Sequence, residues 1–236
     1  MRPDKLDTAR VFERVFAIYR LQARVLLPGA LLVYAIPAAL DLVDSFSVRA
    51  VALAASVIAG VVYQGVVVQA ARDIQDGVRD LSLGGLFRSV GKVLAPLVWT
   101  AILVGLGVFA GFLAFVIPGL ILLTQWAVAA PVVVCEARTA PQAIGRSRQL
   151  VRGHGWQVFS VLIVTLLLVL VFSSALGALA NTIASNNVTF AAAALIARTL
   201  TAPIFALASA VLYLELLLLK GESLPAANLT GLSDRP

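Results

Sequence analysis

Three polar residues stand at the ends of long apolar runs, where they could form a ligand or ion site. Glu136 and Glu215 each close such a run shortly before a basic residue, and Gln69 occupies the equivalent place earlier in the chain. A charged side chain costs about 2.5–3.5 kcal/mol at the bilayer centre and less near the interface. We therefore expect both carboxylates to hold cationic partners, of which Arg146 is the foremost candidate. We call Gln69, Glu136, Arg146 and Glu215 the polar cluster.

Arg198 is an ionisable residue within the last apolar run. An arginine inside a membrane indicates a functional site by default, through an anionic lipid headgroup or a carboxylate partner. Asp41 and Asp44, which follow the first apolar run, are the candidate partners. The alternative is that Arg198 extends its long side chain to the outer interface without a specific partner.

The sequence does not contain the residue pattern of a known catalytic centre. An intramembrane serine protease pairs its serine with a base, commonly a histidine. The single histidine, His154, lies in a basic stretch beside Trp156, which is the setting of an interfacial residue. The segment Gly145-Arg146-Ser147 is not a nucleophile elbow, because Gln149 replaces the closing glycine. We therefore predict that the protein is not an enzyme and has no catalytic residue.

Metal and cofactor sites are not indicated either. Asp73, Asp76 and Asp80 lie close together, but their spacing does not follow the EF-hand pattern, and a solvated loop is the better interpretation. One cysteine, Cys135, and one histidine cannot form a His/Cys metal cluster. The sequence also lacks a phosphate-binding glycine loop. It thus predicts no cofactor and no metal.

Long apolar runs predict one all-α integral membrane domain over residues 1–236. The chain is 61% hydrophobic and 13% charged, whereas soluble proteins have about 25% charged residues. A helix needs about 20 apolar residues to cross the ~30 Å hydrocarbon core of a bilayer. The runs predict about six transmembrane helices in three hairpins and a polar tail over 220–236. The predicted spans are 25–43, 50–71, 93–116, 118–135, 157–181 and 191–219.

Prolines and glycines predict where these helices turn, bend and pack. Ile117-Pro118-Gly119 predicts a tight turn between the third and fourth spans. The fourth span is barely long enough to cross, so a partly re-entrant course is an alternative there. Pro37 and Pro203 predict kinks within their spans. Gly107 and Gly111 allow close approach of another helix, and we expect them to pack an internal helix pair rather than a dimer.

All but two of the 18 lysines and arginines fall on one side of the predicted topology. The exceptions are Arg49, in an opposite loop, and Arg198. Lysine and arginine near helix ends are retained on the cytoplasmic side. The pattern therefore predicts a multi-pass protein of the cell membrane, with both termini in the cytoplasm. The net charge of +6 then reflects topology and not nucleic-acid binding.

Three similar basic segments precede pairs of spans, namely Val11–Arg14, Gly85–Ser89 and Ala143–Ser147. Their apolar residues and arginines are spaced as in helices that lie in the headgroup region, and the first such helix would cover 8–24. The sequence therefore predicts three copies of a cytoplasmic amphipathic helix followed by a hairpin. In this arrangement the polar cluster has two interpretations. It is the cytoplasmic mouth of a ligand or ion pathway, or a set of structural contacts that fix each amphipathic helix to its hairpin.

Part of the chain resembles the membrane domain found with some glycerophosphoryl diester phosphodiesterases. The residues that carry the resemblance are Ile117-Pro118-Gly119-Leu120, Gln125-Trp126, Ala130–Val134, Glu136, Ala143–Gly153 and Trp156, with Tyr213-Leu214-Glu215-Leu216 near the end. In that family, the phosphodiesterase chemistry belongs to a separate soluble domain fused to some members. The resemblance therefore implies a stand-alone polytopic membrane domain without the catalytic domain, and it implies no activity.

Three hypotheses about function follow from the sequence. The leading one is a non-enzymatic membrane scaffold or a module that interacts with lipids or a partner, because basic amphipathic segments favour anionic headgroups at the cytoplasmic face. Its expected partners are membrane lipids and a membrane protein. The second is a transporter or permease-like subunit with a polar site involving Glu136, Arg198 and Glu215, which requires a polar cavity that reaches mid-membrane. The third and weakest is an enzyme that acts on lipids.

Overall fold

The computed structural model of the chain describes residues 6–43, 45–75, 83–183 and 187–222. Within these ranges the regular structure is entirely α-helical, without a strand. The described helices, in chain order, are α1 (Thr8–Leu40), α2 (Phe46–Gln75), α3 (Leu83–Ala114), α4 (Val116–Gln125), α5 (Ala129–Glu136), α6 (Ala140–Val151), α7 (Gly155–Ile183) and α8 (Asn187–Leu219).

Six helical stretches in the described part of the chain are long and apolar enough to cross a membrane, which confirms the prediction of a multi-pass helical membrane protein. α4 and α5 together form the fourth of these stretches. At about 1.5 Å per residue, the 33 residues of α1 reach about 50 Å, well beyond the ~30 Å hydrocarbon core. The longest helices therefore tilt in the membrane or extend past its apolar region.

α8 forms the centre of the bundle. In its apolar stretch 78% of the residues are buried within the protein, against 11% in α3 and 17% in α7. It packs mainly on α1 and α7 and also contacts α2. Large apolar side chains of α8 such as Leu207, Leu212 and Leu216 are completely buried. Exposed apolar side chains cover much of α3 and α7, which indicates that these helices face lipid.

The turn between the third and fourth spans lies at Phe115 and not at the predicted Ile117-Pro118-Gly119. Phe115 has an extended backbone, with φ −166° and ψ 157°. Pro118 is accommodated in the first turn of α4, because backbone N–H groups there have no partner within the helix. Gly119 serves a close contact instead of the reversal, since a Cβ atom at this position would lie 2.6 Å from the Phe112 ring.

The fourth predicted span is two short helices and not one straight rod. The chain turns at residues 126–128 between α4 and α5. Pro131, the third residue of α5, explains the break, because a proline cannot donate to the preceding turn and its ring clashes with the carbonyl four residues earlier. α4 alone is about 15 Å long, half the hydrocarbon thickness. α4 and α5 together are 21 residues long and long enough to cross, so the partly re-entrant course stays an alternative.

Among the described residues, a separate amphipathic helix precedes a span only in the third predicted repeat. α6 begins at a capping box in which Thr139 and Gln142 exchange side-chain and backbone hydrogen bonds, and it ends before Gly153, whose φ is +93°. In the first two repeats the basic segment is the beginning of the long helices α1 and α3. The prediction of a separate helix over 8–24 was wrong because no residue there ends the helix, and Pro28 lies inside α1.

The prediction that Gly107 and Gly111 pack an internal helix pair is confirmed. A Cβ atom at Gly111 would lie 3.0 Å from the Cα atom of Gly119, and one at Gly107 would clash with the Trp126 ring. The two glycines therefore let α3 lie directly against α4 and the turn that follows it. Pro37 and Pro203 lie within α1 and α8 without ending them, and the predicted kinks there stay predictions.

Candidate functional site at the basic end of the bundle

Glu136, the last residue of α5, is the centre of a buried ion-pair network. Its side chain is 5% exposed. The carboxylate oxygen Oε1 accepts hydrogen bonds from Arg146 Nε at 3.2 Å and from the Tyr213 hydroxyl at 3.1 Å, and Oε2 accepts one from Arg138 Nε at 2.6 Å. The expected pairing of Glu136 with Arg146 is present. With three donors, the carboxylate is held by α6, by α8 and by the loop between α5 and α6.

Local structure explains how α6 comes to lie beside Glu136. Ala137 follows α5 in the left-handed conformation, with φ 50°, and this reverses the chain. Thr139 then caps α6. Ser147 of α6 is completely buried, and its hydroxyl donates to the Gln125 carbonyl at 2.8 Å. α6 is thus fixed to the end of α4 on one side and to Glu136 on the other.

Arg146 also connects the network to the residues directly after α8. Its side chain is 15% exposed and also pairs with Glu222, to which Nη1 donates at 3.3 Å and Nη2 donates as well. The hydrogen bond with Glu222 is the largest cause that raises the pKa of Arg146, partial burial opposes it, and Glu136 reinforces it. Arg146 therefore remains charged, and it bridges two carboxylates.

Glu215 pairs with Arg14, which connects the first and last described helices. The Glu215 side chain is 7% exposed, and Arg14 Nη1 donates to its Oε1 atom. Arg14 belongs to the amphipathic segments from which the partner was expected, although Arg146 was the foremost candidate. A charge buried on α8 is thus held by the basic start of α1.

α2 reaches the same end of the bundle through Arg72. Arg72 is buried, and its Nη1 donates to the Cys135 carbonyl at 3.2 Å, near the end of α5. The negative end of the α5 dipole also stabilises a cation at this place. Gln69 lies half-buried on α2. Lys220 Nζ donates to the Arg152 carbonyl at 3.0 Å, so α6 also meets the end of α8 here.

We call this region, which contains Arg14, Arg72, Glu136, Arg146, Glu215 and Lys220, the basic end. Tyr213 and Glu222 belong to it and were not predicted as site residues. Tyr213 stands in the part of the chain that resembles the phosphodiesterase membrane domains, and Glu222 follows Lys220 closely in the predicted polar tail. The sequence could therefore have drawn attention to both residues. It could not have identified their partners, because Tyr213 is 77 residues from Glu136 and Glu222 is 76 residues from Arg146.

Arg198 lies within α8, 17 residues before Glu215, and does not join this network. Its Nη1 atom is 3.2 Å from Asp41 Oδ2, and the two side chains are 39% and 35% exposed. Asp44, the other expected partner, lies outside the described residues, as do Asp76 and Asp80 of the rejected calcium loop. We call the region of Asp41 and Arg198 the opposite end. With Arg49, they border an open cavity of about 540 Å³.

The residues proposed for a single transport site therefore occupy two separate places. α8 continues without interruption from Arg198 to Glu215, and those 17 positions correspond to about 25 Å along a helix. Between them, Ala206, Leu207 and Ala210 are buried in the apolar core. The buried Ser209 accepts a hydrogen bond from Gln64 Nε2 at 3.2 Å and donates to the Ala206 carbonyl at 2.9 Å. The cavity between α2, α5 and α8 near Tyr213 has no room for a water molecule.

Comparisons with protein-family models, with curated proteins and with solved structures find no match to this chain. The resemblance over residues 117–156 therefore stays a prediction.

Proposed function

We propose that this protein is a non-enzymatic membrane module that gathers anionic lipids at its basic end, and that this end faces the cytoplasm. The observation that supports this most is a division among the arginines of the basic segments. One group is paired with carboxylates, as Arg14 and Arg146 are. A second group is exposed, and none of its members forms an ion pair with a described carboxylate; it consists of Arg10, Arg20, Arg24, Arg88, Arg148 and Arg152.

The second group has the properties of a lipid-binding surface. A basic residue near an anionic leaflet contributes about 1 kcal/mol of attraction. Arg20 and Arg24 are four residues apart in α1 and therefore project from the same side of the helix. The paired arginines meanwhile fix the helices that present them.

The same contacts argue against the alternatives. A transporter requires a polar cavity at mid-membrane, but Arg198 and Glu215 are about 25 Å apart along α8 and belong to separate ion pairs. An enzyme requires a side chain that is free to react, whereas Glu136 already accepts from three donors. We also propose, from the motif over 117–156, that the chain is a relative of the phosphodiesterase membrane domains.

The proposal is tested by measuring which lipids surround the protein in a bilayer. Spin-labelled phosphatidylglycerol and phosphatidylcholine report the relative association of anionic and neutral lipids with the reconstituted protein. We expect a severalfold preference for phosphatidylglycerol that 0.5 M salt reduces by screening. The double variant Arg20→Gln/Arg24→Gln should lower the preference, and the control Arg49→Gln, at the opposite end, should not. Equal association of both lipids with the unmodified protein would refute the proposal.

A further inference from the structure

An apolar groove of about 330 Å³ lies between α4 and the beginning of α7. Leu120 and Ile121 line it from α4, and Trp156 and Phe159 line it from α7. Thr124 is a polar member of the lining, but its hydroxyl already donates to the Leu120 carbonyl at 2.7 Å. The groove therefore presents hydrocarbon and aromatic rings, which is the surface that an acyl chain prefers.

A second cavity, of about 360 Å³, adjoins the groove at the junction of α6 and α7. The two cavities share Gln125, Val151 and Gly155 in their linings, so they lie directly beside each other. The second one differs in character, because Arg148 and Arg152 border it. One end of the combined space is thus apolar and the other is cationic.

The two arginines at this cavity are available for a ligand. Arg148 Nε donates to the Gln125 side chain at 2.8 Å, which positions the guanidinium at the junction of the two cavities. Neither arginine forms an ion pair with a described carboxylate, although Arg146, on the same helix, pairs with two. An arginine guanidinium binds phosphate oxygens through several parallel hydrogen bonds. The chemistry at this end therefore suits a phosphate group.

The position of Trp156 places the junction of the cavities at the membrane interface. Trp156 is 77% exposed, and its ring lies beside that of Phe159, with centroids 5.6 Å apart. Tryptophan is enriched at the headgroup level of membranes. α7 begins at this point and contains the first apolar span of the third predicted repeat. It therefore runs from here into the hydrocarbon region. The groove consequently lies at the depth of acyl chains and the arginine cavity at the depth of headgroups.

From these observations we infer that the combined space binds one anionic glycerophospholipid. One acyl chain lies in the groove between α4 and α7, and the phosphate lies between Arg148 and Arg152. This inference rests on the proposed function and deepens it, since it adds one saturable site to the diffuse attraction of lipids by the exposed arginines.

The test counts lipids that remain bound to the purified full-length protein. Native mass spectrometry of delipidated protein, titrated with dioleoyl phosphatidylglycerol, should show one tight adduct that 0.5 M salt does not remove. Dioleoyl phosphatidylcholine, with identical chains, should bind at least tenfold more weakly. Arg148→Gln/Arg152→Gln should weaken the phosphatidylglycerol adduct tenfold or more, as expected for two lost charges.

A glycine substitution tests the groove independently of charge. A Cβ atom at Gly155 would meet no atom within 4 Å, so Gly155→Leu places its side chain in the shared space without a clash at the backbone. We expect this variant to lose the tight adduct. Gly145→Leu is the matched control, because Gly145 is an exposed glycine of α6 that also has open space beside it and borders neither cavity.

The outcomes separate this inference from the proposed function. If Gly155→Leu and the arginine double variant keep the tight adduct, the inference is overturned, even if Arg20→Gln/Arg24→Gln lowers the general lipid preference. Equal tight binding of phosphatidylcholine overturns it as well. If Gly155→Leu fails to fold, brominated phosphatidylglycerol gives a second readout in a Trp99→Phe background. At one lipid per protein it should quench tryptophan fluorescence more than brominated phosphatidylcholine does, and equal quenching contradicts the site.

Discussion

The two ends of the bundle hold their charges in different ways. At the basic end, the Glu136 and Glu215 side chains are 5% and 7% exposed, and each meets cations from other parts of the chain. At the opposite end, the Arg198 and Asp41 side chains are 39% and 35% exposed and border an open cavity. When a buried ion pair loses one partner, the remaining charge stays buried without compensation. When an exposed pair loses one partner, water solvates the remaining charge. The comparison indicates that helix packing depends on charge at the basic end and hardly at the opposite end.

Replacement of Glu136 should have the largest effect. Glu136→Ala leaves the 15%-exposed Arg146 without its buried acceptor, and we expect a loss of about 3–5 kcal/mol in the free energy of unfolding. Thermal unfolding in detergent measures it. The control Glu222→Ala removes a 43%-exposed carboxylate from the same arginine and should cost under ~1 kcal/mol. Similar losses in both variants would contradict a special role for the buried carboxylate.

Loss of the Arg14 charge should have an intermediate effect. Arg14→Gln leaves Glu215 buried without its ion pair, but the 48% exposure of Arg14 lets water replace part of the contact. We expect a destabilisation of about 1–3 kcal/mol in the same assay. Arg10→Gln, one turn earlier and exposed, is the matched control and should be nearly neutral. A double-mutant cycle with Glu215→Gln should show coupling, and additive effects would rule the contact out.

The opposite end should tolerate the equivalent change. Asp41→Asn removes the half-exposed partner of Arg198 and should cost about 0–1 kcal/mol. The small effect should disappear at 0.5 M salt, because screening weakens exposed pairs more than buried ones. Unfolding measured at low and high salt checks this. A loss as large as that of Glu136→Ala would remove the difference between the two ends.

The ion pairs show how far sequence reasoning reaches in this protein. Glu136 and Arg146 are ten residues apart on either side of a short turn, so their pairing could be predicted. The partner of Glu215 could be predicted only as one of several basic segments, because Arg14 is 201 residues away and only helix packing decides which arginine arrives. The separate helix before each hairpin was predicted too generally. α6 is a separate helix because residues that begin and end a helix stand on both sides of it. The basic starts of α1 and α3 have no such residue after them, so they continue directly into the spans.

By itself, the sequence determined that this chain is a multi-pass helical membrane protein with its basic residues grouped by segment. Apolar runs and the cost of burying charge in lipid act locally and can be read along the chain. The tertiary structure alone decided that α8 is the buried centre, that Arg198 and Glu215 belong to separate ion pairs, and that α4, α6 and α7 line two adjoining cavities. Those properties depend on which helices contact one another. Long-range packing determines these contacts, and the local composition of the chain does not.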